Sequence, residues 1–215
     1  MTSTTIVLIR HGETAWNAER RLQGHLDVPL NAEGERQAEA LAEALAGASF
    51  DLLVTSDLQR ARQTGAPLAR ACSLTPLRDP ALRERCFGAF EGLLYAEIAQ
   101  RFPQQFAAWQ ARAADAPMPD GVRAAETFRQ FQTRAVGAVL AWAQAHPGKS
   151  LAIVTHGGVL ECVYRFALGM PLETARTFPV LNASINRIVV TDGALSVRSW
   201  GEVAHLRVPA LDELA

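Results

Sequence analysis

The segment Thr5-Ile6-Val7-Leu8-Ile9-Arg10-His11-Gly12-Glu13-Thr14 changes character at Arg10. The five residues before it are β-branched or leucine and show no polar alternation, the pattern of a strand buried on both faces. Such a strand belongs to a sheet covered by helices on both sides, which makes the chain an α/β protein. A cation, an imidazole and a glycine then follow at the strand's carboxyl end, the place where open α/β sheets bind their ligands.

Working outward, the same architecture recurs. Asn31 can cap a helix running to about Ala46, in which Ala38, Leu41, Ala42 and Leu45 repeat at helical spacing. Asp51–Thr55 reads as a second strand, Asp57–Arg70 as the helix after it, and Leu74–Leu77 as a third strand at the sheet edge. Residues 81–92 hold Gly88 and Gly92 among charged and aromatic side chains and read as a structured loop. From Leu93 to Trp142 the pattern is mostly helical, broken at Asp115–Gly121, where Pro117, Pro119 and Gly121 cannot continue a helix. Ser150–Thr155 is another buried-type strand, and Gly157-Gly158 opens a helix to about Leu168. Two alternating runs, Ser184–Thr191 and Ala194–Trp200, flank Asp192-Gly193, a strong hairpin-turn pair. Strands alternating with helices predict a largely parallel sheet, with the hairpin adding an antiparallel edge. There is no internal repeat or low-complexity tract.

Composition narrows the function classes. The 215 residues suit one domain with a sizeable core, and 21 basic against 22 acidic residues leave a net charge of −1. That balance argues against broad binding to nucleic acid or to anionic membranes, so any anion chemistry must come from a local cluster of cations. Cys72, Cys86 and Cys162 are far apart and form no CxxC pair, as expected of structural thiols in a reducing compartment. The first residues lack a basic region followed by a long apolar run, and no apolar run approaches the ~20 residues of a membrane helix. The expectation is a soluble cytoplasmic protein.

Two histidines carry the chemical reading. His11 leaves one buried strand and His156 leaves another within Thr155-His156-Gly157-Gly158, each followed by glycine. The pair would lie side by side if their strands were neighbours. Glycine lets the backbone approach a ligand and leaves amides free to face an anion, and the helix starting at Gly157 adds the positive end of its dipole. Arg10 can fork onto phosphate oxygens. Arg60, in Ser56-Asp57-Leu58-Gln59-Arg60-Ala61-Arg62-Gln63-Thr64, can close the pocket from the second strand's end. A carboxylic acid is needed to protonate a departing alkoxide, and a bound phosphate dianion favours its protonated form. Glu84, in Leu82-Arg83-Glu84-Arg85-Cys86, is the candidate, with Glu91 the structural alternative. Trp16 and Trp109 read as packing residues, and His25, His146 and His205 as non-catalytic, although His25 follows the Gly24 loop. No H-x-x-x-H pair offers metal-ligand spacing.

Four segments, L-I-R-H-G-E-T-x-W-N from Leu8, G-x-x-D-x-P-L-N at Gly24–Asn31, S-D-L-x-R-A-x-Q-T from Ser56 and T-H-G-G from Thr155, together resemble the histidine phosphatase superfamily, also called the phosphoglycerate mutase-like family. The match runs in order from Ile6 to His205. The resemblance implies a single domain over residues 1–215, folded as a three-layer α/β/α sandwich with a mostly parallel sheet, an antiparallel edge strand and a helical cap inserted at about 93–125 over the active site. It implies that His11 is the phosphorylated nucleophile, that His156 stabilises the transferring phosphoryl group and that Glu84 is the proton donor. Phosphate would be held by Arg10, Arg60 and Asn17, by Gln23 and Gly24, and by the helix start at Gly157. It implies no metal and no cofactor, because arginine, histidine and backbone amides neutralise the charge.

Within the family the expectation is a phosphatase acting on small-molecule phosphate monoesters, as a monomer or a homodimer. The alternative is a cofactor-dependent phosphoglycerate mutase, but the arginine cluster that mutases carry in the insertion is replaced here by the acidic Asp115–Gly121. Leu181–Asn186 and Trp200–Leu206 resemble the phosphatase branch. A departure lies at Pro119–Thr127, where the branch's P-x-G-E-S is extended, with Glu126-Thr127 in place of the Glu-Ser pair. A phosphoester-binding module without catalysis would lack the nucleophile, partner histidine or proton donor, and all three are present.

Overall fold

The computed structural model describes residues 2–212. In chain order the elements are β1 (Ser3–Arg10), α1 (Ala15–Glu19), α2 (Ala32–Leu45), β2 (Leu52–Thr55), α3 (Gln59–Ala71) and β3 (Leu77–Arg78). They are followed by α4 (Tyr95–Arg101), α5 (Pro103–Gln110), α6 (Phe128–Ala145), β4 (Ser150–Thr155), α7 (Gly157–Ala167), β5 (Ile185–Thr191) and β6 (Ala194–Glu202). The sheet order is β3-β2-β4-β1-β5-β6. The first four strands run parallel, and the β5–β6 hairpin attaches antiparallel to β1.

β1 is buried on both faces, as its sequence requires. Ile6 and Leu8 enter one core with Leu151, Ile153, Phe131, Val139, Leu160 and Val163, beneath α6 and α7. Val7 and Ile9 enter the other with Leu41, Leu45, Leu53, Leu68, Ala152 and Val154, beneath α2 and α3. Each such side chain contributes on the order of 1.5–3 kcal/mol, and the two layers make the expected α/β/α sandwich. The hairpin turn is as predicted: Asp192 and Gly193 both have positive φ, 51° and 81°, matching the right-handed strand twist.

Several boundaries differ from the sequence reading. The third strand is Leu77–Arg78 rather than Leu74–Leu77, because its ladder to β2 pairs only Leu77 with Val54 and Arg78 with Thr55. The helical stretch after residue 93 also breaks at Phe102, which precedes Pro103 and is held at φ −135°, ψ 57°, since a residue before proline is pushed out of the helical region. Between α5 and α6 the chain is irregular from 111 to 127. α4 and α5 cover a small apolar cluster of Leu22, Phe90 and Ile98, with Phe87, Phe102, Phe106, Trp109 and Met118 packed on it.

Candidate active site

Three neighbouring strands end together. Arg10 of β1 pairs with Thr155 of β4, and Thr55 of β2 pairs with Val154 of β4. His11, His156 and Ser56, each one residue further on, therefore emerge side by side. The His11 and His156 rings lie 5.2 Å apart, edge to face, and His156 Nε2 shares a 2.8 Å hydrogen bond with the Ser56 hydroxyl. Arg60 arrives in the first turn of α3, where its guanidinium donates to the Gly24 and Leu26 carbonyls at 2.8 and 2.9 Å. That contact ties the Gln23–Gly24 loop to the site. Arg10 donates to the Val180 carbonyl and, at 3.3 Å, to that of Leu211. His11, His156, Arg10 and Arg60 are all at most 2% exposed.

Burial and the cations act together on the imidazoles. Desolvation, then Arg60 and Arg10, push His11 well below the ordinary histidine range, against a smaller opposing pull from its bond to Gly12. The same burial, with Arg60 and His11 next in importance, does so for His156. His11 Nδ1 lies 2.7 Å from the Gly12 carbonyl, which can only accept, so Nδ1 carries the hydrogen and Nε2 the lone pair. A neutral imidazole with a free lone pair among cations is a nucleophile matched to an anionic substrate. Two buried side chains reinforce the anion reading: His156 Nδ1 and both polar atoms of the Gln23 amide have no hydrogen-bond partner among the described residues. Buried polar groups are nearly always satisfied, so such a cluster marks a place where a polar ligand belongs.

Glu84 stands at the start of α7. Its carboxylate accepts from the Gly158 amide at 2.9 Å and from the Arg85 amide at 2.8 Å, and it lines a cavity of about 360 Å³ with Gly157 and Gly158. Asn17 forms the capping box of α1 with Thr14 and lies 3.5 Å from Asn182 Nδ2, which donates to the His11 carbonyl at 3.0 Å. The structure thus brings His11, His156, Arg10, Arg60, Gln23 and Gly24 to one cluster. Asn17 joins it through Asn182, and Glu84 and Gly157 stand on the adjoining cavity wall. Glu91 is structural as expected, accepting from the His25 and Phe87 amides. Glu13 holds the helix cap, accepting from Asn31 Nδ2.

The physical reason for two glycines differs from the sequence reading. The Gly12 amide is not free, since it donates to Thr64 Oγ1 at 2.9 Å. A Cβ at Gly12 would stand 2.6 Å from the Gly34 carbonyl, so the residue is small because α2 packs directly on it. A Cβ at Gly158 would stand 2.1 Å from Glu84 Oε1. That glycine makes room for the carboxylate.

Sequence reading also missed residues that shape the site. Arg134, on α6, donates to the carbonyls of Ala81, Arg83 and Glu84 at 2.9–3.0 Å while forking onto Glu126 at 2.7 Å. Glu126 in turn accepts from the Cys86 amide, so one ion pair clamps the loop carrying Glu84. Burial is the largest single influence on the Glu126 carboxyl and pushes it up, but the bond and charge of Arg134 and the Cys86 amide together hold it below its ordinary range. The cavity beyond Glu84 is walled by Arg85, Arg112 and Arg176 and by Phe87, Tyr95, Trp109 and Phe128. Trp109, expected as a packing residue, both packs in the cap cluster and faces this cavity, stacked on Tyr95 at 5.5 Å. Burial brings the Arg85 guanidinium down to about 10. No local pattern marks these residues, because the loop carbonyls Arg134 holds lie about 50 residues away and the cavity walls come from separate segments.

Among the described residues no group of three or more His, Cys, Asp or Glu side chains is placed to hold a metal ion, and no helix is long and apolar enough to cross a membrane. Comparison with known proteins agrees with the geometry. Residues 6–203 match the family model described as histidine phosphatase superfamily (branch 1). The chain is 37% identical to phosphoglycerate mutase-like protein 4 of Arabidopsis thaliana, over 94% of this chain and 86% of the relative. It is 36% identical to the metal-independent phosphoserine phosphatase of the same plant, over 94% and 83%. The solved structure of Bacillus stearothermophilus YhfR superposes with a TM-score of 0.86 at 35% identity, covering 94% of this chain and 98% of that one. The fold, the paired strand-end histidines and these similarities agree: the chain belongs to the histidine phosphatase superfamily, branch 1.

Proposed function

We propose that the chain hydrolyses small-molecule phosphate monoesters in two steps through a phosphohistidine at His11. The observation that carries the reading is a buried His11 whose Nδ1 faces the Gly12 carbonyl at 2.7 Å, with burial and the charges of the buried Arg60 and Arg10 disfavouring its protonation. Arg10, Arg60, Gln23, Asn17 and the Gly157 helix start would hold the phosphoryl oxygens, with His156 donating as negative charge builds. His11 Nε2 forms the bond to phosphorus as the ester P–O bond breaks, and Glu84 gives its proton to the leaving alkoxide. Water, deprotonated by the now ionised Glu84, then displaces His11 and releases inorganic phosphate.

The mutase reading shares every one of these groups and is supported by the name of the 37% identical relative. It differs in the fate of the phosphohistidine, which must pass to a second hydroxyl rather than to water. Within the cap, Asp115 pairs with Arg129, and Arg112 is bonded to Glu161 and to the Leu172 carbonyl. The 115–121 segment itself contains no lysine or arginine, and the flanking Arg112 and Arg129 are paired with carboxylates, which supports hydrolysis. Three free cysteines, Cys86 and Cys162 buried, support residence in a reducing compartment, the cytoplasm.

The test is phosphate release from p-nitrophenyl phosphate with excess EDTA, beside quenching in alkaline detergent and detection of alkali-stable, acid-labile phosphoprotein. EDTA-resistant release with label on the protein is expected, both lost in His11→Ala. Release that needs a metal or survives the substitution would overturn the assignment, and isomerisation of 3-phosphoglycerate without net phosphate release would establish the mutase.

A further inference from the structure

We infer that Arg176 builds a second anion subsite beside the phosphoryl pocket, for an acidic group on the leaving-group part of the substrate, and that Asp212 of the chain's own tail is seated there as an internal competitor. This rests on the phosphatase reading above.

Arg176 lies on the wall of the cavity that also contains Glu84, Gly157 and Val180, and its side chain is only 7% exposed. Its two terminal nitrogens fork onto the Asp212 carboxylate at 3.0 and 2.7 Å. The Val180 amide adds a third donor at 3.2 Å. A planar fork with a backbone amide recognises any carboxylate or phosphate, not aspartate in particular. Arg176 also donates to the Phe178 carbonyl at 2.8 Å, which fixes the fork whether or not the tail is present.

The subsite and the phosphoryl pocket share a residue, Val180. Val180 holds Asp212 through its amide and accepts from Arg10 through its carbonyl, and Arg10 also donates to Leu211, the residue before Asp212. An anion on Arg176 therefore sits next to the arginine proposed to grip phosphate. Burial opposes ionisation of Asp212, but Arg176, the Val180 amide and Arg10 together hold its carboxyl below the ordinary range. For a substrate anion to take its place, only the Asp212 side chain need move aside. Past β6 the tail forms no helix or strand up to Asp212, and Leu211 is pinned to the body by bonds from the Asn182 amide and from Arg10. An ordinary structural ion pair would staple the tail without regard to substrate. A subsite makes substrates with a second acidic group compete with Asp212, while esters without one do not need Arg176.

The experiment compares kcat/KM, by phosphate release, for 3-phosphoglycerate and glycerol 3-phosphate, which differ by a carboxylate against a hydroxymethyl group. The ratio is measured in the full-length chain and in Asp212→Asn and Arg176→Gln. Asp212→Asn should raise the ratio about 3- to 10-fold, and Arg176→Gln should lower it by about 10-fold or more. Ratios within about 2-fold of the parent in Asp212→Asn, or shifts of the same sign in both variants, would overturn the subsite. If Arg176→Gln fails to fold by circular dichroism, Asp212→Asn alone decides. Absence of phosphate release from both esters and from p-nitrophenyl phosphate would instead remove the phosphatase reading. The subsite would then be read from calorimetric affinities for the same two compounds, with the same expected ratios.

Discussion

His11, Arg10 and His156 stand at the ends of two neighbouring parallel strands and are almost completely buried, whereas Arg85, Arg112, Trp109 and Arg176, around the adjoining cavity, come from loops and short helices spread along the chain. The first group is placed by backbone ladders whose register a one-residue slip would destroy. The second is placed by side-chain bonds such as Arg112 to Glu161 and Arg176 to Asp212. A site set by a sheet gives fixed chemistry, and a wall set by side chains can change its substrate without disturbing that chemistry. The division matches the general observation that specificity gathers on loops carried by a rigid scaffold.

Substitutions on the two sides should therefore fail differently. The largest effect belongs to the nucleophile: His11→Ala should cut turnover of every ester by about 10⁴-fold or more, with the unfolding midpoint retained. Glu84→Gln comes next. It should slow glycerol 3-phosphate by about 10²- to 10³-fold and p-nitrophenyl phosphate by less than about 10-fold, since a nitrophenolate needs little protonation on leaving. Equal losses on the two esters would assign the acid to another residue.

Arg134 joins the two regions, because it anchors the Glu84 loop without lining the cavity. Arg134→Ala leaves three carbonyls and the Glu126 carboxylate without their cation, and urea titration should show a loss of about 2–4 kcal/mol. In steady-state kinetics kcat should fall about 10-fold with KM nearly constant, as expected when the loop carrying the proton donor is loosened. A change confined to KM would place Arg134 with the cavity instead.

A further difference, in pH dependence, separates the buried cradle from the half-buried wall. Burial and the arginines keep His11 and His156 neutral in the folded chain, but both protonate on unfolding below about pH 6.5. The unfolded state then binds more protons, so stability is full above that pH and falls as the solution is acidified. Each histidine contributes a slope of up to about 1.4 kcal/mol per pH unit. Denaturation between pH 7.5 and 5 should show this fall, and a His11→Asn, His156→Asn double variant should flatten it. An unchanged slope in the double variant would mean that neither imidazole is held neutral.

Much of the cradle is legible in the amino-acid sequence, because strands announce themselves within five or six residues. Thr5–Ile9 and Ser150–Thr155 are continuous apolar runs, and each delivers its histidine at a known end. Their adjacency is the conditional step, and the β1–β4 ladder supplies it. The glycine after His11 is visible in the sequence but its reason is not, since the approach of Gly34 that requires it comes from a helix whose packing no local pattern reveals. Trp109 carries no periodic signal that separates a core aromatic from a cavity wall, and it serves as both.

The sequence alone thus specifies the sandwich and the pair of strand-end histidines, because hydrophobic periodicity and strand-end motifs are local and strong. Folding decides how the proposed leaving-group side is held and lined, since Arg134 reaches the Glu84 loop across 50 residues and Arg176 reaches Asp212 across 36. Neither pairing follows from spacing, because an arginine on one segment can meet any carboxylate that tertiary packing brings within about 3 Å.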